Sequence, residues 1–138
     1  VVLLFLAVWG NDTLAYCTGM LIGKHKMSPI LSPKKSIEGL IGGIVGAAIL
    51  GGLYGMYLNT YIRFSFNPVT MFPVICGLGG AVSVIGDLAA SAIKRDSGIK
   101  DYGTLIPGHG GILDRFDSII FIAPVIYYLT VMISGGAI

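Results

Sequence analysis

The segment Ile37–Leu58, IEGLIGGIVGAAILGGLYGMYL, decides how the chain is read. Its length is close to the roughly 20 residues that an α-helix needs to cross the hydrocarbon core of a bilayer. Small residues recur at every fourth position, at Gly39, Gly43, Ala47, Gly51 and Gly55, so they share one helix face. Such a ladder lets another helix approach at close range inside a membrane. It suits packing within the chain and contact with a second copy equally well. Ser36, just before Ile37, is a suitable N-cap.

Three further apolar segments flank this one: Val1–Ile22, interrupted by Asn11 and Asp12; about Val69–Ile93, with Pro73 near its start and Asp87 inside; and Ile112–Ile133, with Asp114, Arg115 and Asp117 in its first two turns. The expected fold is therefore all-α, a polytopic transmembrane helical bundle with spans at about 1–22, 37–58, 69–93 and 112–133. Composition agrees. Hydrophobic residues make up 54% of the 138 and charged residues 12%, with mean hydropathy +0.84, whereas soluble domains carry about 25% charged residues. A soluble core of this size has no room for that much apolar surface. Val1–Trp9 is a bare apolar run without the charged start of a signal peptide, and Val1 reads as the middle of a longer chain.

The connections differ in charge. Lys24, Lys26, Lys34 and Lys35 fall between the first two segments, and Lys94, Arg95 and Lys100 between the last two; Arg63 stands alone between the second and third. Lys and Arg accumulate on the cytoplasmic side, so both basic connections are expected to face the cytoplasm. Cys17 and Cys76 lie in apolar stretches without metal-ligand spacing, and no disulfide is expected.

Acidic groups inside apolar segments carry the chemical information. An Asp at the centre of a lipid-facing helix costs about 2.5–3.5 kcal/mol on insertion scales, so such residues turn toward protein or a wet cavity. Gly79, Ser83, Asp87, Ser91 and Arg95 follow one another at four-residue spacing, with Lys94 on nearly the same side, and form a polar stripe. Asp114 and Asp117 also share a face. Carboxylates beside basic loops suit Mg²⁺ with phosphates, because magnesium is a hard cation commonly held by one or two carboxylates and substrate oxygens. The competing reading is that these Asp residues only pair with Lys94, Arg95 and Arg115, and that Asp117 only orients Arg115.

In the loop ahead of the last segment, the glycines of Pro107-Gly108-His109-Gly110-Gly111 allow backbone N–H groups close to an anion. His109 either contacts phosphate or donates a proton there, or is a polar surface residue. Lys34 and Lys35 either bind phosphate or serve as positive-inside anchors. Gly23-Lys24-His25 is not a P-loop: Gly19 is one residue too close, His25 replaces the Ser or Thr, and no strand precedes it.

The whole stretch SAIKRDSGIKDYGTLIPGHGGILDRFD, Ser91–Asp117, resembles the signature of the phosphatidate cytidylyltransferase (CDP-diacylglycerol synthase) family. Ser91, Lys94, Arg95, Lys100, Asp101, Gly103, Pro107, His109, Gly110, Gly111, Asp114, Arg115 and Asp117 stand at its spacing. NDTLAYCTGMLIGKHK, Asn11–Lys26, and SPKKSIEGLIGG, Ser32–Gly43, are similar to the family's upstream segment. The resemblance implies attack by phosphatidic acid on the α-phosphorus of CTP, with Asp87 and Asp114 as metal-binding carboxylates and Lys94, Arg95, Lys100 and Arg115 on phosphates. Asn11, Asp12, Lys34 and Lys35 would line the CTP side, joined by Ser91 and Asp117. It also implies Mg²⁺, a second cation such as K⁺, a homodimer, further N-terminal helices, and a bacterial inner membrane with the site facing the cytoplasm. No nucleic-acid partner is expected. Two alternatives are a CTP-dependent lipid or polyprenol kinase and an ion-coupled transporter. The transporter is disfavoured because the carboxylates cluster toward one side of the membrane, not through its depth.

Overall fold

The computed structural model describes residues 1–99 and 113–135; for 113–115 and 117 it describes the backbone alone. The chain is an all-α membrane-protein bundle, with one small hairpin among the described residues. Helix α1 (Val2–Phe5) passes through a π-helical segment, Leu6–Gly10, into α2 (Asn11–Ile22). Leu6, Gly10 and Asn11 all keep right-handed helical dihedrals, so the three pieces form one continuous rod. The rod ends where Gly23 turns extended and its N–H bonds Gly19 O at 3.0 Å.

A short antiparallel hairpin follows, β1 (Lys26–Ser28) and β2 (Ser32–Ser36), with an irregularity between Lys26 and Ser28. It hands the chain directly to α3 (Ile37–Tyr61). Ser36 is extended and its Oγ accepts a bond from Gly39 N at 3.1 Å, the N-cap expected from the sequence. The hairpin base is tied by Ile37 N to His25 O at 3.0 Å, and by His25 Nδ1 to Glu38 Oε1 at 2.6 Å.

Helix α4 (Pro68–Asp96) starts on an Asn67 cap whose Oδ1 accepts from Val69 N at 3.1 Å. Pro68 takes the first helical position, where a missing N–H costs nothing. Helix α5 spans Leu113–Ile133.

The core joins Ala7 and Val8 of the first rod, Ala47 of α3, Phe72, Ile75 and Cys76 of α4, and Ile122 and Ile126 of α5. The glycine ladder settles between neighbours inside the chain: all five of its residues are buried. Near the hairpin it meets α2, where a Cβ on Gly43 would stand 2.7 Å from Asn11 Oδ1. At the other end it meets α4, where a Cβ on Gly55 would stand 2.5 Å from Pro68 O. The opposite face of α3 exposes Ile41, Val45, Ile49 and Leu53, each more than half accessible. Small residues inside and large apolar ones outside invert the pattern of a soluble helix and fit a lipid surround. Among the described residues, α3 and α4 are long and apolar enough to cross a membrane, while the apolar part of α5, Ser118–Ile133, is shorter.

Candidate functional site

At the hairpin end of the bundle, α2, β2, α3 and α4 enclose a cavity of about 230 Å³. Its polar lining includes Asn11 and Asp12 from α2, Ser32, Lys34 and Lys35 from the hairpin, and Asp87 from α4. Residues far apart in sequence thus share one hollow open to the surface.

Each is placed by local structure. The π-helical segment ends at Gly10, immediately before Asn11 and Asp12. Its wider turn changes the register of the rod at that point; π-bulges are frequent at functional sites. Asn11 is fully buried, wedged between Gly43 and Gly80, and a Cβ on Gly80 would stand 3.0 Å from its Oδ1. Among the described residues neither its amide oxygen nor its amide nitrogen finds a hydrogen-bond partner, and the same holds for the buried Ser83 Oγ one turn from Asp87. Leaving such groups unsatisfied costs about 1–3 kcal/mol each, and Asn11, which lines the cavity, is one of them.

The hairpin is held against the helices by Ser36. Its Oγ sits in a notch of glycines, where a Cβ on Gly19, Gly23 or Gly39 would come within 2.9, 2.7 and 2.9 Å of it. Seating Ser36 there puts Lys35 over the cavity, where its Nζ forms an ion pair with Asp87 Oδ2. Both side chains keep partial water access, 27% for Lys35 and 30% for Asp87. The sequence offered Lys94 and Arg95 as partners for Asp87. The partner found is Lys35, reached across the bundle, and nothing in the helical spacing signals it.

The structure brings together Asn11, Asp12, Lys34, Lys35 and Asp87. Ser91 and Lys94, half-buried on α4, and Arg95, exposed in its last turn, are not among the described residues that line the cavity. Lys100 and His109 lie outside the described residues. Asp114, Arg115 and Asp117 fall in the first two turns of α5, and their side chains lie outside the description.

The donors suit a hard cation. Asp12 and Asp87 offer carboxylate oxygens to the cavity, and Asn11, which also lines it, carries a buried unpartnered amide oxygen. Among the described residues no cluster of three acidic, His or Cys side chains exists. That set matches Mg²⁺, which takes few protein carboxylates and completes its shell with phosphate oxygens and water. It does not match zinc, which prefers a closed nitrogen and sulfur cage.

The model of the cytidylyltransferase family matches residues 1–133. The chain belongs to that family. Among cytidylyltransferase relatives, a phosphatidate cytidylyltransferase of Synechocystis sp. is 44% identical over 133 residues, which is 96% of this chain and 43% of the relative. One from Staphylococcus haemolyticus is 41% identical over 127 residues, covering 92% of this chain and 47% of that protein. A third, from Thermotoga maritima, is 38% identical over 133 residues, 96% of this chain and 49% of its own length. The chain thus spans less than half the length of these curated relatives.

Proposed function

We propose that this chain is the catalytic half of a phosphatidate cytidylyltransferase, which makes CDP-diacylglycerol and pyrophosphate from CTP and phosphatidic acid. The observation that carries the reading is the cavity where Asp12, Asp87, Lys34 and Lys35 meet at one end of an apolar bundle. It is supported by family membership and by the names of the relatives.

The reaction forms a bond between a phosphate oxygen of the lipid and the α-phosphorus of CTP. The bond from that phosphorus to the α–β bridging oxygen breaks, and pyrophosphate leaves with the electron pair. The nucleophile is already an anion at neutral pH, so no strong base is required. The obstacle is repulsion between two phosphate groups, which positioned cations relieve by orientation and charge neutralisation. Lys34 and Lys35 would hold the nucleotide from the hairpin side. Lys94 and Arg95, with Lys100 and Arg115 of the signature, would hold the leaving pyrophosphate and the lipid phosphate. Asp87 and Asp114 would hold Mg²⁺, and when bound it supplies positive charge next to the reacting phosphates. Asn11, Asp12, Ser91 and Asp117 would orient the nucleotide and the metal-binding groups, and His109 would contact phosphate in the glycine loop. K⁺ is a candidate second cation, and a homodimer the proposed assembly.

The proposed topology has four spans, with the hairpin and the 100–112 connection facing the cytoplasm of a bacterial inner membrane. There a water-soluble nucleotide and a lipid headgroup can both reach the hollow. The nearest rival is a CTP-dependent lipid kinase, which attacks the γ-phosphorus instead. Supplying the complete protein with phosphatidic acid and CTP labelled at either phosphorus separates the two. Cytidylyl transfer moves α-label into the lipid and leaves γ-label in soluble pyrophosphate; the reverse partition would establish the kinase.

A further inference from the structure

We propose that Lys35 has two alternating partners: in the free protein it neutralises Asp87, and when a divalent cation arrives with a nucleotide it passes to the phosphate. This rests on the cytidylyltransferase reading for the identity of the nucleotide, but not for the exchange itself.

Among the described residues the cavity is lined by two carboxylates, Asp12 and Asp87, and two ammonium groups, Lys34 and Lys35, so these four charges balance. Asp87 lies well within α4, nine residues before the helix end at Asp96, and its described charged partner is Lys35. An anion so placed is costly without a counter-charge, and the hairpin supplies one. A divalent cation bound at Asp87 must take that carboxylate from Lys35. Binding it alone would add two positive charges to the hollow, with Lys35 displaced beside them. A cation that arrives with a triphosphate brings its own compensation and gives the Lys35 ammonium a new oxygen partner.

The placement of Lys35 permits the exchange. Its backbone is fixed by Ser36 in the glycine notch and by the His25 tie at the hairpin base. Its side chain is a long flexible stem ending in a point charge, able to swing without moving the strand. The donor also retains 27% water access, so release does not strand a bare charge in a dry interior. The consequence is selectivity for the metal–nucleotide complex over the free cation.

The test reads metal binding without turnover. Mn²⁺ is titrated into the complete protein in nanodiscs without nucleotide, and free Mn²⁺ is followed by electron paramagnetic resonance. Lys35→Gln should bind Mn²⁺ about tenfold more tightly than wild type, the scale expected for removing one competing charge at a partly exposed site. Lys35→Arg should remain close to wild type, and Lys34→Gln should shift affinity less than about threefold because it lacks the direct contact. Asp87→Asn should abolish the tightening in the Lys35→Gln background. With CTP added, Lys35→Gln should raise the concentration of nucleotide needed for half-saturation. Equal Mn²⁺ affinity in wild type and Lys35→Gln overturns the exchange, as does an equal gain in Lys34→Gln, which would mark a diffuse field effect. Label transfer in the same preparations separates this from the functional reading. Normal α-label transfer with unchanged Mn²⁺ affinity sinks the exchange alone, and γ-label transfer with the tightening intact sinks the cytidylyltransferase reading alone.

Discussion

Helices α3 and α4 pack against each other along most of their length, yet they use their inward faces differently. Helix α3 fully buries only small residues, from Gly39 to Gly55, and sends Ile41, Val45, Ile49 and Leu53 outward. Helix α4 buries a mixture: Phe72, Ile75 and Cys76 toward the Arg63 end, then Gly79, Gly80 and Ser83, with Asp87 at the cavity. The first helix is a packing surface whose contribution is closeness. The second changes along its length from core to chemistry. The glycines of α3 are what allow Asn11 and the α4 backbone to approach, so the packing helix sets the dimensions of a site to which it gives no charge.

This division can be broken from either side. Asp87→Asn on α4 should lower cytidylyl transfer by about a thousandfold, the scale of losing one positioned electrostatic group. The bundle should still insert and fold, since removing a charge from a span relieves insertion cost. Lys35, left without its partner, keeps access to water. Near-normal turnover in this variant would remove Asp87 from the chemistry.

Gly43→Ala on α3 should act the opposite way. Its new Cβ would stand 2.7 Å from Asn11 Oδ1 and 2.8 Å from Ala15 Cβ, so the rod must shift, at a cost of about 1–3 kcal/mol. Thermal unfolding in detergent should show the loss, and activity should fall with it because Asn11 and Asp12 are displaced. Ile49→Ala, on the outward face of the same helix, should stay within about 0.5 kcal/mol by the same measurement. Equal effects at the two positions would mean that α3 has no distinct inner face.

The sequence made the helices legible because their signals are long and periodic. The ladder of α3 repeats five times, and the polar stripe of α4 runs through Gly79, Ser83 and Asp87. The cap at Ser36 was legible for the same reason, since it stands directly before an apolar run. The hairpin was not. Lys26–Ser28 and Ser32–Ser36 have three and five residues, and Pro33 stands inside the second. Proline is tolerated in a strand that forms an edge, as both strands of a two-stranded sheet do, but no strand propensity announces it. The pairing exists because Ser36 docks in the glycine notch and the turn must close behind it. Consequently Lys35 was readable as basic and near a membrane surface, while its contact with Asp87, fifty-two positions away, depended on a fold that local pattern cannot express. The π-helical segment has no sequence signal for a similar reason: one widened turn in Leu6–Gly10 leaves an apolar sequence apolar.

The measurement that bears most directly on the site is anomalous diffraction from the complete protein crystallised with Mn²⁺ and CTP. The expected result is a Mn²⁺ peak at coordination distance from the Asp87 carboxylate, with Lys35 Nζ moved from Asp87 to a phosphate oxygen and Asn11 and Asp12 facing the nucleotide. A nucleotide bound elsewhere, with Asp87 still held by Lys35, would contradict it.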